Sequence, residues 1–130
     1  MRSATFYMVG AVALSLMGCA SSVYKRQTWA ELVEGSEYAW HQGFRMALCG
    51  ANNTPALARL DSLKARRDAA AGRLAGDEGA DELAAILQGV NDEVSQALPI
   101  CPLQPNPWPD IKALGRIVEE LEVRSTRSTD

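Results

Sequence analysis

The apolar positions of the chain recur with a helical period in four segments, which predicts an all-α fold. The first segment covers residues 29–49 and follows Thr28, which forms a capping-box pattern with Glu31. The second segment begins at Thr54 and ends near residue 75. Pro55 occupies its first helical position, where the missing amide costs nothing. Both segments therefore carry helix-start signals as well as a helical period.

Two further helices are predicted along the chain. The third covers about residues 81–98, where the apolar spacing alternates between three and four residues. The fourth covers about residues 110–123, after a connector at 99–109. Five prolines in this connector exclude a helix over most of its length. Residues 124–130 are polar and are expected to form a flexible tail.

Helices two and three have similar lengths and are joined by a short turn at 76–79, so they are predicted to form an antiparallel hairpin. Their charges support this pairing. Residues 55–75 carry five basic and two acidic side chains, whereas residues 77–98 carry six acidic and no basic ones. Arg67 falls on the apolar face of the second helix, and its side chain is predicted to snorkel toward solvent.

The first residues of the chain have the layout of a secretory signal. Arg2 precedes an apolar run at 6–17, which is shorter than the about 20 residues needed to cross a bilayer. The run ends in the motif Leu16-Met17-Gly18-Cys19. This motif resembles the lipobox of bacterial lipoprotein precursors. The resemblance implies removal of residues 1–18 and attachment of lipid to Cys19.

The same resemblance implies an address for the protein. The second mature residue is Ala20 rather than the aspartate that retains lipoproteins at the inner membrane of enteric bacteria, so we expect an outer-membrane anchor facing the periplasm. Residues 19–27 would be the tether. In an oxidising compartment Cys49 and Cys101 are expected to form a disulfide that staples the open end of the hairpin.

Length and charge set further bounds. The 130-residue chain has a net charge of −3, and residues 28–123 are enough for one small domain. The predicted fold is a small bundle of three to four helices around the central hairpin. A mildly acidic chain lacks the strongly basic surface of nucleic-acid-binding proteins, so no nucleic-acid partner is expected.

Candidate catalytic and metal-binding residues are few. His41 is the only histidine, and it shares a helix side with Glu34 and Glu37. Zinc needs at least three well-placed ligands, so we interpret this group as a solvated Glu–His pair. The chain has no nucleophile-elbow or phosphate-binding glycine motif. We therefore expect neither a metal nor a cofactor, and no enzymatic activity.

Two features are candidate contacts for a partner. A basic stripe recurs every seven residues in the second helix, and a tryptophan between two prolines ends the connector. The stripe is interpreted as either a solvated face or a contact for an anionic partner, and the tryptophan as either a lid on the core or an exposed anchor. The residues concerned are Arg59, Arg66 and Arg73 in the stripe and Pro107, Trp108 and Pro109 in the connector.

These features predict a non-catalytic accessory or interaction subunit of a cell-envelope complex, anchored to the membrane through Cys19. An alternative is a phage- or plasmid-encoded lysis or exclusion lipoprotein, because outer-membrane spanin subunits are similar in lipobox, size and prolines. Those subunits have shorter, less helical mature parts. A carrier of an apolar ligand is a third reading, for which a bundle of this size offers little cavity volume.

Overall fold

The computed structural model describes residues 24–50, 53–97 and 100–128. These residues form four long helices and no strand: α1 (Trp29–Cys49), α2 (Thr54–Ala75), α3 (Ala80–Ser95) and α4 (Trp108–Ser128). The predicted all-α bundle is confirmed. Residues 24–26 are also helical. The predicted signal peptide at 1–18 and the predicted lipidation site Cys19 lie outside the described residues.

The capping box of α1 acts where the sequence places it, whereas α2 begins one residue earlier than predicted, with Asn53 as its N-cap and Thr54 as its first helical residue. Thr28 Oγ1 accepts from the Glu31 amide at 3.1 Å, and the Thr28 amide donates to Glu31 Oε1 at 2.8 Å, which completes the capping box of α1. Pro55 lies in the first turn of α2. That helix ends at Gly76, whose φ of 64° is a left-handed conformation that suits glycine.

The core is a three-helix unit made by α1, α2 and α4. Fully buried side chains from all three helices meet there; they are Leu32, Val33, Ala47, Leu60, Leu63, Ala70, Leu114, Val118 and Leu121. At Gly43 the helices approach closely, because an added Cβ would lie 3.1 Å from Leu60 Cδ2. Helix α3 contacts α1 and α2 but contributes only Val90 as a buried residue. The hairpin partner α3 thus lies on the outside of the core.

The bundle has two ends, which we call the proximal and distal ends. The proximal end holds residues 24–27, the start of α1 and the last turns of α2 and α4. The distal end holds the last turn of α1 and the start of α4. Because α1 runs from proximal to distal, it is antiparallel to both α2 and α4.

The predicted disulfide between Cys49 and Cys101 is confirmed, with a Cα–Cα distance of 5.5 Å. It lies at the distal end, where it fixes the connector to the last turn of α1. The connector also packs on this turn through Pro105, whose Cγ is 3.7 Å from the position of a Cβ added at Gly50. The bridge therefore closes the end of the bundle that the sequence assigned to it.

Helix α4 continues to Ser128 instead of ending near Val123, and Arg124, one residue past the predicted end, is held on the bundle by several contacts. Its guanidinium pairs with Glu120 at 2.8 Å and donates to the carbonyl oxygens of Tyr24 at 2.7 Å and Lys25 at 3.0 Å. A third donation goes to the Gln27 carbonyl. These bonds hold residues 24–27 on the bundle, whereas the sequence placed them in a free tether.

The prediction that Arg67 snorkels to solvent is wrong. Its side chain is 1% exposed and meets Glu37 of α1, which is 3% exposed, at 2.8 Å between Nη1 and Oε1. Nη1 also donates to Ser36 Oγ at 2.9 Å, and Nε donates to Asp68. The side chain stays inside because a carboxylate and a hydroxyl on α1 replace the water that a snorkelling arginine seeks.

Candidate interaction surface

A shallow groove between α2 and α4 brings together an exposed tryptophan and three basic side chains. Trp108 opens α4 and is 49% exposed, and the groove continues past it along α4 with a volume of about 440 Å³. We call this surface the basic groove. It is lined by Arg59, Trp108, Ile111, Lys112, Gly115, Arg116 and Glu119.

The local structure of α4 explains how these side chains converge. Asn106 Oδ1 accepts from the Trp108 amide at 3.1 Å, and the Pro107 carbonyl accepts from the Ile111 amide at 3.0 Å, so the proline-rich segment caps the helix. Residues 108, 112 and 116 are four apart and share one helix side. Arg59 of α2 completes the groove.

The basic groove carries an excess of positive charge. Arg59, Lys112 and Arg116 are exposed and, within the described part of the chain, none of them forms an ion pair. Glu119 is the one carboxylate in the lining. Three cations and an indole thus lie together in a chain of net charge −3, a combination chemically suited to an anionic, partly apolar surface.

The other two arginines of the predicted stripe do not join this groove. Arg66 is bound to Glu122 of α4 by two hydrogen bonds, at 2.9 and 2.6 Å. Arg73 donates to Ser125 Oγ at 3.1 Å, near the proximal end. Of the six residues predicted as partner contacts, Arg59 and Trp108 line the groove, while Pro107 and Pro109 flank the tryptophan.

The pair of Arg66 and Glu122 makes stability depend on pH. The hydrogen bonds from Arg66 lower the pKa of the Glu122 carboxyl, and the pKa of Arg66 is raised in turn. A lowered carboxyl pKa stabilises the fold above the ordinary glutamate range, and this stabilisation is lost as the pH falls through the folded-state pKa.

We therefore expect Glu122→Gln to reduce the free energy of unfolding at pH 7 by under about 1 kcal/mol, since both side chains are about one-third exposed. Denaturant unfolding at several pH values measures this difference. The variant and the native chain should converge in acid. A difference that grows as the pH falls would contradict the assignment.

Apolar side chains are also exposed at the distal end. Ile100 and Leu103 of the connector and Leu48 of α1 project into solvent there, next to the disulfide. Trp108 lies at the same end, about 24 Å along α4 from Arg124, at 1.5 Å per residue. The distal end therefore presents apolar and basic groups far from the point where the N-terminal segment is attached.

No family model, curated protein or solved structure matches this chain. The helices at 24–50, 53–97 and 100–128 include none with the length and apolar character needed to cross a bilayer.

A second depression lies between α1 and α3. It has a volume of about 490 Å³, is open to solvent and is lined mainly by apolar atoms, including those of Phe44, Leu48 and Val94. Across it Tyr38 donates to Glu93, and this bond raises the pKa of the Tyr38 hydroxyl. The hydrogen bonds from Tyr38 to Glu93 and between His41 and Asn91 hold α1 and α3 together at this depression.

The residues around His41 have a structural role rather than forming a solvated face. Nε2 of His41 lies 3.4 Å from Glu37 and 2.6 Å from Asn91 Oδ1, and Glu37 is buried against Arg67. Glu34 is exposed. Among the described residues, no three histidine, cysteine or acidic side chains are grouped closely enough to hold a metal ion.

Sequence reasoning missed Lys112 and Arg116, although a signal for both was present. They follow Trp108 at intervals of four, which places all three on one side of any helix that starts at 108. The sequence-based helix began at 110, which left Trp108 in the connector and hid this register.

Proposed function

We propose that this protein is a non-catalytic interaction subunit of the bacterial cell envelope, tethered to the outer membrane through lipid on Cys19. Its helical domain faces the periplasm and binds an acidic partner in the basic groove. The observation that carries the proposal is the basic groove itself, with an exposed tryptophan and three cations that form no ion pair among the described residues, at the end opposite the N-terminal attachment.

The attachment geometry is consistent with such a role. If lipid is joined to Cys19, only five residue steps separate it from Tyr24, a span of at most about 17 Å. Arg124 holds Tyr24 at the proximal end. That end then lies near the membrane, and the distal half of the bundle is available to a partner in the periplasm.

The composition of the groove also favours binding over catalysis. Its residues are exposed cations, an indole and one carboxylate, without a buried nucleophile or a histidine. Exposed ion pairs are each worth under about 1 kcal/mol, so specificity would depend on Trp108, whose large flat ring supplies contact area at low entropic cost.

The test is purification of the tagged chain from its native envelope in mild detergent, followed by mass spectrometry of associated proteins. We expect a stoichiometric partner that is retained by the native chain and lost in Cys19→Ser. The same partner should be lost in Trp108→Ala. A matched control is Val123→Ala, because Val123 lies on the same helix and is 47% exposed, compared with 49% for Trp108.

Two results would overturn the proposal. One is recovery of the native chain alone and monomeric. The other is a partner whose yield falls equally in Trp108→Ala and Val123→Ala, since that would place the contact outside the basic groove. Mass spectrometry of the N-terminal peptide tests lipidation independently, because acylated Cys19 should be the first residue of the mature chain.

A further inference from the structure

Helix α3 carries an acidic surface that forms no ion pair with the described residues. Residues 77–95 contain six exposed carboxylates and no basic side chain. Asp77 and Glu78 lie in the turn before α3, and the other four, Asp81, Glu82, Asp92 and Glu93, lie on the helix itself. We call the surface formed by these four carboxylates of α3 the acidic helix face.

None of the ion pairs of the described residues joins α2 to α3, so the predicted charge pairing between these helices is not observed. The basic side chains of α2 turn to other helices: Arg66 binds Glu122 of α4 and Arg67 binds Glu37 of α1. Lys64 lies over the ring of Trp40, 4.4 Å from its centre. The six carboxylates consequently face solvent, with neutral partners only: Gln88 donates to Asp92, and Tyr38 donates to Glu93.

The acidic helix face and the basic groove lie on different sides of the three-helix core. Helix α3 packs on α1 and α2, whereas the groove runs between α2 and α4. One chain therefore cannot bring its two surfaces together. Two copies can do so by placing the acidic helix face of one against the basic groove of the next.

Along the bundle, the distal part of the acidic helix face, with Asp92 and Glu93, is level with the basic groove. Gly35 of α1 faces Ile117 of α4, and Gly43 faces Asp110 and Ile111. The stretch of α1 between these glycines is therefore level with the part of α4 that holds Lys112 and Arg116. The same stretch of α1 contacts Asn91 and Glu93 of α3. Copies anchored by the same end would therefore meet through Asp92 and Glu93, while Asp81 and Glu82 lie about 16 Å nearer the proximal end.

We infer that the partner of the basic groove is the acidic helix face of a second copy of this chain. This inference rests on the proposed function, because it names the acidic partner of the same groove. The contact joins two different surfaces, so it is heterologous and generates rings or open rows rather than a two-fold dimer. Confinement of copies to one membrane raises their effective concentration, which lets a weak contact suffice.

The experiment measures energy transfer between donor- and acceptor-labelled full-length chains, processed in the producing cell and reconstituted in vesicles of neutral phosphatidylcholine. We expect transfer that falls when salt is raised from about 0.05 M to about 0.5 M, because screening weakens exposed charge contacts. Transfer no higher than that of a non-interacting anchored control at low salt would overturn the inference.

Charge reversal distinguishes this contact from any other. The groove variant carries Arg59→Glu, Lys112→Glu and Arg116→Glu. The helix variant carries Asp81→Lys, Glu82→Lys and Asp92→Lys, which leaves three lysines and one carboxylate on the acidic helix face and avoids the carboxylate bonded to Tyr38. Each variant alone should lose about ten-fold in apparent association, equivalent to about 1.4 kcal/mol. An equimolar mixture should regain it, because one variant presents two acidic surfaces and the other two basic ones.

Failure of the mixture to regain transfer would overturn the inference, provided that circular dichroism shows both variants folded. A second contrary result is also possible. The groove variant alone would lose affinity for vesicles containing anionic lipid, while its energy transfer in neutral vesicles would equal that of the native chain. The groove would then bind lipid headgroups, and the inference would be wrong. A different protein that leaves the envelope preparation in Trp108→Ala would sustain the proposed function even if transfer is absent, so the two failures are distinguishable.

Discussion

Removal of the disulfide, by Cys49→Ala with Cys101→Ala, is expected to lower the free energy of unfolding by about 4 kcal/mol in the chain-entropy model. The two cysteines are 52 residues apart, so the bridge closes a long loop in the unfolded chain. For a domain of this size, the thermal midpoint should fall by roughly 20 °C. Circular dichroism during heating measures the midpoint at 222 nm, a wavelength at which the signal reports helix content.

A reductant supplies the control. It should move the midpoint of the native chain to that of the double variant and leave the double variant unchanged. Cys19→Ser should keep the bridge and therefore the native midpoint. A fall of less than about 5 °C on removing the bridge would show that the bundle does not depend on its distal staple.

Arg67→Met is expected to cost about 3–5 kcal/mol, because it leaves the Glu37 carboxylate buried without its cation. The methionine fills much of the volume, so the loss reports charge rather than a cavity. Equilibrium denaturation in urea measures the change. Arg66→Met is the matched control, since the neighbouring arginine pairs with Glu122 at the surface and should cost under about 1 kcal/mol.

The second arm of this test replaces both charges. Glu37→Leu combined with Arg67→Met should recover most of the stability lost by Arg67→Met, because apolar side chains of similar size often replace a buried ion pair at little cost. Nη2 of Arg67 has no hydrogen-bond partner in the described structure, which adds to the cost of keeping the charge inside. An equal loss from Arg66→Met and Arg67→Met would contradict the burial of this pair.

The fold was predictable to the extent that short-range rules determine it. The capping box at Thr28, the proline at position 55 and the turn at 76–79 each act within a few residues, and the structure has the helix boundaries they imply to within one residue. The disulfide followed from the expected compartment and from the hairpin. These features require no knowledge of which helices are neighbours.

The arrangement of neighbours was the part that local patterns could not supply. Helix α4 has a short apolar stripe in the sequence, yet it occupies the core with α1 and α2, and the more regular α3 lies outside. The burial of Arg67 depends on the same arrangement, because its partner Glu37 is 30 residues away along the chain. The sequence shows that Arg67 lies on the apolar face of α2, but it does not show that Glu37 pairs with it.

The candidate surface was likewise predicted only in part. Trp108 and Arg59 were identified from composition and spacing, but pairing α2 with α4 removed Arg66 and added Lys112 and Arg116. A repeat of seven along one helix does not show which of its members a neighbouring helix will neutralise. Only the packed structure separates arginines that hold the fold together from one that is free to bind a partner.

The contacts of Arg124 with the carbonyl oxygens of Tyr24 and Lys25 have a mechanical consequence for an anchored protein. A pull on the N-terminus does not act on α1 alone, because these bonds pass part of the load to the last turns of α4. The force is then shared by two helices of the core instead of peeling one helix from its end. A domain held in this way resists being unfolded by a force applied through its N-terminal segment.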